Sequence, residues 1–257
     1  MPGGVIGIPC REEGRSNLFN ECLEYVERPP RTKVLWGRDN SVAKARNTIA
    51  AEALRQGADW IWWLDDDLIF RPETLLKALE RPEEIVIGLS LSRTKIGGDF
   101  RPIWSNVEMQ GDRWFPVTQI VREANGLMRL THGTAGGVLM HRPAFECVEA
   151  MTPNTRGLDK DGQIRPVWWA MGQLVPDMFW EDIHFYDKLR AAGFDIWGDP
   201  EVKFGHDTKM TIWPYEAPDG QWHTVLAHGF EPWILHSWDL PRPVVPAESE
   251  LSAAVHG

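Results

Sequence analysis

The sequence predicts an α/β fold with a mostly parallel central sheet. Two observations carry this. Apolar strand-length runs alternate with helix-period segments through the first ninety residues, the pattern of a parallel sheet with helical crossovers. In the middle of that pattern, Trp60-Ile61-Trp62-Trp63-Leu64 is apolar at every position, as expected of a strand covered on both faces. That strand runs directly into Asp65-Asp66-Asp67 before turning apolar again at Leu68-Ile69-Phe70.

In order, Val5–Ile8 is a first strand, followed by a loop at Pro9-Cys10-Arg11. Ser16 or Asn17 caps a helix carrying Leu18, Phe19, Cys22, Leu23 and Val26. Thr32–Trp36 is a second strand, and Gly37-Arg38-Asp39-Asn40 a turn. Asn40 or Ser41 then caps a helix that sets Val42, Ala45, Ile49, Ala53 and Leu54 on one side and stops at Gly57. After the central strand, Pro72 opens a helix to about Glu80, and Ile85–Ser90 is a further strand. Beyond it the polar stretch Arg93–Arg101 reads as a loop, and the segments around 117–121 and 127–130 as a hairpin. Gly136-Gly137 leads into a strand through Met140, and Pro143 opens a helix to about Met151. Residues 152–179 have no clear period, a length of loop that is usually functional or disordered. Glu181–Ala192 is a helix stopped by Gly193, and Phe194–Trp197 a short strand. From Asp207 onward no regular pattern is legible, and the segment reads as an irregular extension wrapping the domain.

Composition narrows the function classes. Hydrophobic content of 43% over 257 residues is enough for one large or two small globular domains. Cys10, Cys22 and Cys147 are odd in number and widely spaced, so no disulfide framework or zinc cluster is expected. The apolar stretch at Val5–Ile8 is too short for a signal peptide and is interrupted by Pro9, and no run reaches membrane-spanning length. A reducing, cytoplasmic setting follows as the default. The net charge of −10 falls almost wholly after residue 165, which argues weakly against binding along a nucleic-acid backbone. Fourteen tryptophans suit either sugar stacking or core packing, and composition does not choose between them.

Three adjacent carboxylates at the end of a buried strand repel one another unless a cation or proton neutralises them. Their hard oxygens fit Mg²⁺ or Mn²⁺, and Mg²⁺ is commonly held by one or two carboxylates together with substrate phosphates. Ligands of open α/β sheets gather at this edge. The residues therefore point to a metal–phosphate site, with solvated loop acids ahead of a helix as the alternative.

Four features then line up: Arg46-Asn47, the acids at 65–67, Trp180-Glu181-Asp182, and a lone His206. In "AKARNTIAAEALRQGADWIWWLDDDLIFRPETL", "GTAGGVLMHRPAFE" and "FWEDIHFYDKLRAAGFDIWGDPEVKFGH" the chain resembles a glycosyltransferase of the GT-A fold, close to the family 2 type, over roughly residues 4–206. The resemblance implies a Rossmann-like nucleotide-sugar-binding half at 1–90, fused to an acceptor and catalytic half at 91–206. Residues 207–257 would be a Trp- and Pro-rich C-terminal extension. It implies a UDP- or GDP-linked donor flanked by Pro9 and Cys10, with Arg46 reaching towards the base and Asp65 and Asp66 on the donor. Asp65 and Asp67 would form the Asp-x-Asp pair, and His206 would complete the shell of a Mn²⁺ or Mg²⁺ ion with them. Asp182 would be the general base of an inverting transfer, with Glu181 as the fallback. Gly136, Gly137 and Trp180 would face the acceptor, with Trp168 and Trp169 either stacking on it or buried in the core. The acceptor hydroxyl could belong to a glycan, a protein, a small molecule or a hydroxylated DNA base.

Two other readings compete. A haloacid-dehalogenase-type phosphohydrolase also places Asp-x-Asp after a buried strand, but on the first strand of its domain, whereas two βα units precede it here. A non-catalytic carbohydrate-binding module would account for the tryptophans but not for the clustered acids and histidine.

Overall fold

A computed structural model describes residues 3–10, 16–39, 41–91, 102–103, 106–110, 113–117, 121–152, 156–158, 164–170, 181–207, 211–216, 218, 220, 222–228 and 231–238. Its first half alternates as the sequence predicts: β1 (Gly4–Cys10), α1 (Asn17–Tyr25), β2 (Lys33–Arg38), α2 (Val42–Arg55), β3 (Trp60–Trp63), a two-residue β4 (Leu68–Ile69), α3 (Thr74–Leu79) and β5 (Ile85–Leu89). A hairpin of β6 (Asn106–Gln110) and β7 (Arg113–Val117) follows, then β8 (Val121–Arg122), β9 (Met128–Leu130), β10 (Val138–His141) and α4 (Arg142–Met151). The chain continues through β11 (Arg156–Leu158), β12 (Ile164–Pro166), α5 (Glu181–Ala191), β13 (Ile196–Lys203) and β14 (Gly205–His206). It closes with β15 (Thr211–Glu216), β16 (Trp222–His228) and β17 (Glu231–Trp238).

The principal sheet has the order β2-β1-β3-β10-β5-β13-β9-β8. β2, β1 and β3 are parallel neighbours, as are β5 and β13. β10 runs antiparallel between β3 and β5. The sheet is thus mostly parallel by strand direction, but β5 does not extend the βαβ series next to β3. The antiparallel strand that takes its place enters through Gly136-Gly137, over a hundred residues from β1, and its position is a tertiary fact that local periodicity does not encode.

β3 alternates between two cores, which is why none of its positions is polar. Trp60 and Trp62 pack with Ile6, Ile8, Phe19, Leu75, Leu139 and Phe204, on the face covered by α1 and α3. Ile61 and Trp63 pack with Val5, Ile49, Ala53, Phe145 and Phe185, on the face covered by α2, α4 and α5. All four side chains are at most 1% exposed. At roughly 1.5–3 kcal/mol or more for each large apolar side chain buried, this strand anchors the fold. Gly4 sits opposite Trp60, whose ring occupies the space a Cβ would need.

Trp168 and Trp169 settle into the second of these cores, each 1% exposed, with Trp169 against Trp63 and Phe185. They do not stack on an acceptor. Helix ends follow the sequence: the Ser16 hydroxyl accepts from Phe19 N–H, and Gly57 and Gly193 close α2 and α5 with positive φ. α3 begins at Thr74, two residues after Pro72.

The segment after Asp207 is the largest departure from expectation. Its described residues form an antiparallel meander, β17-β16-β15, joined through β14 to β4. Trp222 of this meander is 1% exposed and belongs to the main core. The pattern was unreadable because its turn residues and tryptophans interrupt the two-residue period. The stretch 93–101, read from the sequence as a loop, lies outside the described residues.

Candidate active site

The site is built where β1 and β3 leave the sheet. Gly7 pairs with Trp63, so Pro9, Cys10 and the acids emerge at the same edge. Leu64 N–H donates to Gly7 O (3.0 Å) and Leu68 N–H to Asp65 O (3.1 Å), which folds Asp65–Asp67 into a tight turn between β3 and β4. β14 lies against this turn: His206 pairs with Leu68, and Asp207 N–H donates to Asp67 O (2.7 Å). Asp67 and His206, far apart in sequence, are therefore neighbours across two short strands. The Asp207 carboxylate in turn accepts from the Ser16 hydroxyl at the start of α1.

Arg46 holds the acids together. It projects from α2, is only 2% exposed, and reaches three carboxylates. Its Nη2 meets Asp65 Oδ1 at 3.0 Å, and its Nη1 meets Glu181 Oε1 and Asp182 Oδ1 at 2.8 Å each. Burial alone would lower the guanidinium pKa, but Asp182, Asp65 and Glu181 raise it above its ordinary value. The arrangement joins the end of β3 to the start of α5, where the sequence resemblance expected a donor acid and a base.

Asp182 is the most strongly held of the acids. One oxygen takes Arg46, and the other accepts Ala135 N–H at 3.1 Å. Burial pushes its carboxyl up to about 7; Arg46 opposes that shift, while Glu181 and Asp65 reinforce it. The neighbouring Tyr186 hydroxyl donates to Thr134 O at 2.8 Å, and burial followed by the Asp182 charge raises it well above the usual tyrosine range. His132, fully buried, bridges Thr131 and Asp187 and helps bind the same loop to α5.

The two glycines fit the acids closely. A Cβ at Gly136 would come within 2.4 Å of Asp65 Oδ2. Gly137 has φ +78° and donates its N–H to Trp63 O at 2.7 Å, which starts β10 on the central strand. Their need for glycine is met inside the protein, by the approach to Asp65 and by the backbone turn.

Asn47, next to Arg46, is a contact that the sequence reading noted without giving it a role. Its Oδ1 accepts the N–H groups of Trp168 (2.8 Å) and Trp169 (3.0 Å), and its Nδ2 donates to Trp169 O (2.7 Å). One turn of α2 thus fixes both the backbone at 168–169 and the acids at 181–182. An amide on a helix with an otherwise apolar face could have signalled such a backbone clamp. Ala135 could not have been found, because its contribution is a backbone N–H.

Asp66 lies half-buried on the turn, and Trp180 lies outside the described residues. Among the described residues no three His, Cys, Asp or Glu side chains form a ready metal cluster. The backbone pairing brings Asp67, on the turn, and His206, on β14, to adjoining positions of the chain. Among the described residues no helix is long and apolar enough to cross a membrane.

No curated protein matches the chain. Among the solved structures that match, one titled "Crystal Structure of A197 from STIV" aligns with 15% identity and a TM-score of 0.49, covering 91% of this chain and 98% of that one. The family model described as glycosyl transferase family 2 matches residues 17–149, just over half of the chain, from α1 through nearly all of α4. With a GT-A sheet and the acids at its carboxyl edge, the chain belongs to glycosyl transferase family 2.

Proposed function

We propose that the protein transfers a hexose from a UDP- or GDP-linked donor to an acceptor hydroxyl, with inversion at the anomeric carbon. The observation that supports this best is the convergence of Asp65, Glu181 and Asp182 on Arg46 at the edge where β1 and β3 end. Family membership sets aside the phosphohydrolase and the carbohydrate-binding module.

In this reading Pro9, Cys10 and Asp66 flank the nucleoside, and Asp65, held by Arg46, faces the donor ribose. Asp67 and His206 would hold Mn²⁺ or Mg²⁺, which supplies charge neutralisation for the departing diphosphate. Asp182 takes the proton from the acceptor hydroxyl. The acceptor oxygen forms its bond to the anomeric carbon as the bond to the diphosphate oxygen breaks on the opposite face, and the nucleoside diphosphate leaves. Glu181 keeps the local field negative and sustains the basicity of Asp182. Gly136, Gly137 and Trp180 lie on the acceptor side, and the acceptor class stays as open as the sequence leaves it. Residues 1–90 form the donor half and 91–206 the acceptor half, with 207–257 an extension on β14. The unpaired state of Cys10, Cys22 and Cys147 suits a cytoplasmic setting.

A thermal-shift panel of UDP- and GDP-sugars with and without MnCl₂ tests the reading. A ligand that binds only the native state raises the melting temperature by mass action. One donor should stabilise the protein with Mn²⁺ and fail to do so with EDTA. No stabilisation by any nucleotide sugar would remove the reading.

A further inference from the structure

We infer that Arg46 is a positioning residue rather than a donor contact: its single guanidinium fixes Asp182 in place and tunes it by acting as the shared counter-ion of the acids at both ends of the site. This deepens the reading above and rests on it for the role of Asp182.

Three observations carry the inference. The first is geometry. Both terminal nitrogens of Arg46 are engaged by carboxylates at 2.8–3.0 Å, and Nη1 serves two of them at once. The remaining Nε is buried without a hydrogen-bond partner, so the guanidinium offers no solvent-facing edge to a nucleotide base. The second is burial. Arg46 is 2% exposed, whereas the side chains it touches are 19–28% exposed. The cation therefore lies beneath the acids, and the acids form the surface a substrate would meet. The third is charge. One guanidinium faces three carboxylates, so at full ionisation the cluster keeps a net charge of −2 in a partly desolvated place. Removing the cation would leave three like charges, which must take up protons or move apart. Arginine is suited to this, because its planar fork bridges carboxylates in fixed directions where a lysine supplies a point charge.

The cluster also has a specific mechanical consequence. Asp182 is held from two sides, by Arg46 through Oδ1 and by Ala135 N–H through Oδ2. Loss of Arg46 leaves one of these and frees the carboxylate to rotate, while Asp65 loses its link to α5.

The test uses the full-length protein and the ¹³C carboxyl resonance of Asp182, assigned by its disappearance in Asp182→Asn. Arg46→Met should raise the Asp182 titration midpoint by at least one pH unit. Arg46→Lys should hold the midpoint close to that of wild type, and Glu181→Gln should lower it. In parallel, the Kd for UDP and for GDP, each with MnCl₂, should stay within threefold of wild type in Arg46→Lys. An unmoved midpoint in Arg46→Met overturns the inference. So does a tenfold loss of nucleotide affinity with the midpoint unchanged, which would return Arg46 to the donor. If Arg46→Met does not fold, Arg46→Gln, which also removes the charge but keeps polar atoms at the site, takes its place and is judged by the same rise of the midpoint. Should neither nucleotide bind wild type, the donor reading fails while the midpoint continues to judge Arg46.

Discussion

At the scale of single residues, a carboxylate poised near neutrality determines how the rate should depend on pH. Burial, with Glu181 and Asp65 nearby, raises the Asp182 carboxyl to about 7, against the pull of Arg46. A general base must be ionised to accept a proton, so kcat/KM should climb with pH below about 7 and level off above it. Linkage has the opposite sense for stability. A folded-state pKa above the unfolded value of 3.8 gives a contribution that is fully present below that value and lost as pH rises through about 7. Asp182→Asn should keep donor affinity within a few-fold and lower turnover by roughly 10²–10⁴, the usual range for removing a general base. Steady-state kinetics with a parallel donor titration measures both, and retained turnover would exclude Asp182 as the base. Gly136→Ala makes a different demand. The added methyl would fall 2.4 Å from Asp65 Oδ2, so donor binding should weaken even though the mutation adds only one carbon. Donor affinity equal to wild type would show that Asp65 can shift without consequence.

At the scale of elements, β3 and the acids behind it were legible because their signal is local. An apolar run of strand length with no polar position, in an alternating α/β pattern, reads as a strand covered on both faces, and Trp60–Trp63 divide between two cores as that requires. Asp182 and His206 were singled out only through their family spacing, since an acid at a helix start and a single histidine are each common without function. What the sequence hid was non-local. β10 enters the sheet antiparallel between β3 and β5, and its partners lie more than fifty residues away in the chain. The Ala135 N–H that holds Asp182 has no side-chain signature at all. The clamp made by Asn47 gives an element-scale prediction. Asn47→Ala leaves the Trp168 and Trp169 N–H groups and the Trp169 carbonyl without their amide partner, at a cost of about 1–3 kcal/mol for each buried polar group left unsatisfied. Chemical denaturation should show that loss, and an unchanged midpoint would mean that solvent replaces the amide freely.

At the scale of the whole molecule, the C-terminal meander is continuous with the site through β14, the strand that carries His206. No period is legible in this stretch of the sequence, because its prolines and tryptophans obscure the alternation of its strands. Trp222 shows what it contributes, being 1% exposed in the main core with Lys203 over its ring. Trp222→Ala should cost about 3–5 kcal/mol, as large aromatic deletions in cores do. Unfolding should remain a single transition, and a separate low-temperature step would instead mark the meander as an independent unit. The proposed chemistry centres on the tip of β3, where Asp67 and His206 would hold a cation against a diphosphate. The most direct measurement is an anomalous difference map from crystals soaked with MnCl₂ and UDP or GDP. It should show one manganese peak between Asp67 and His206, with the diphosphate oxygens against it. A peak and nucleotide both lying well away from that turn would contradict the account.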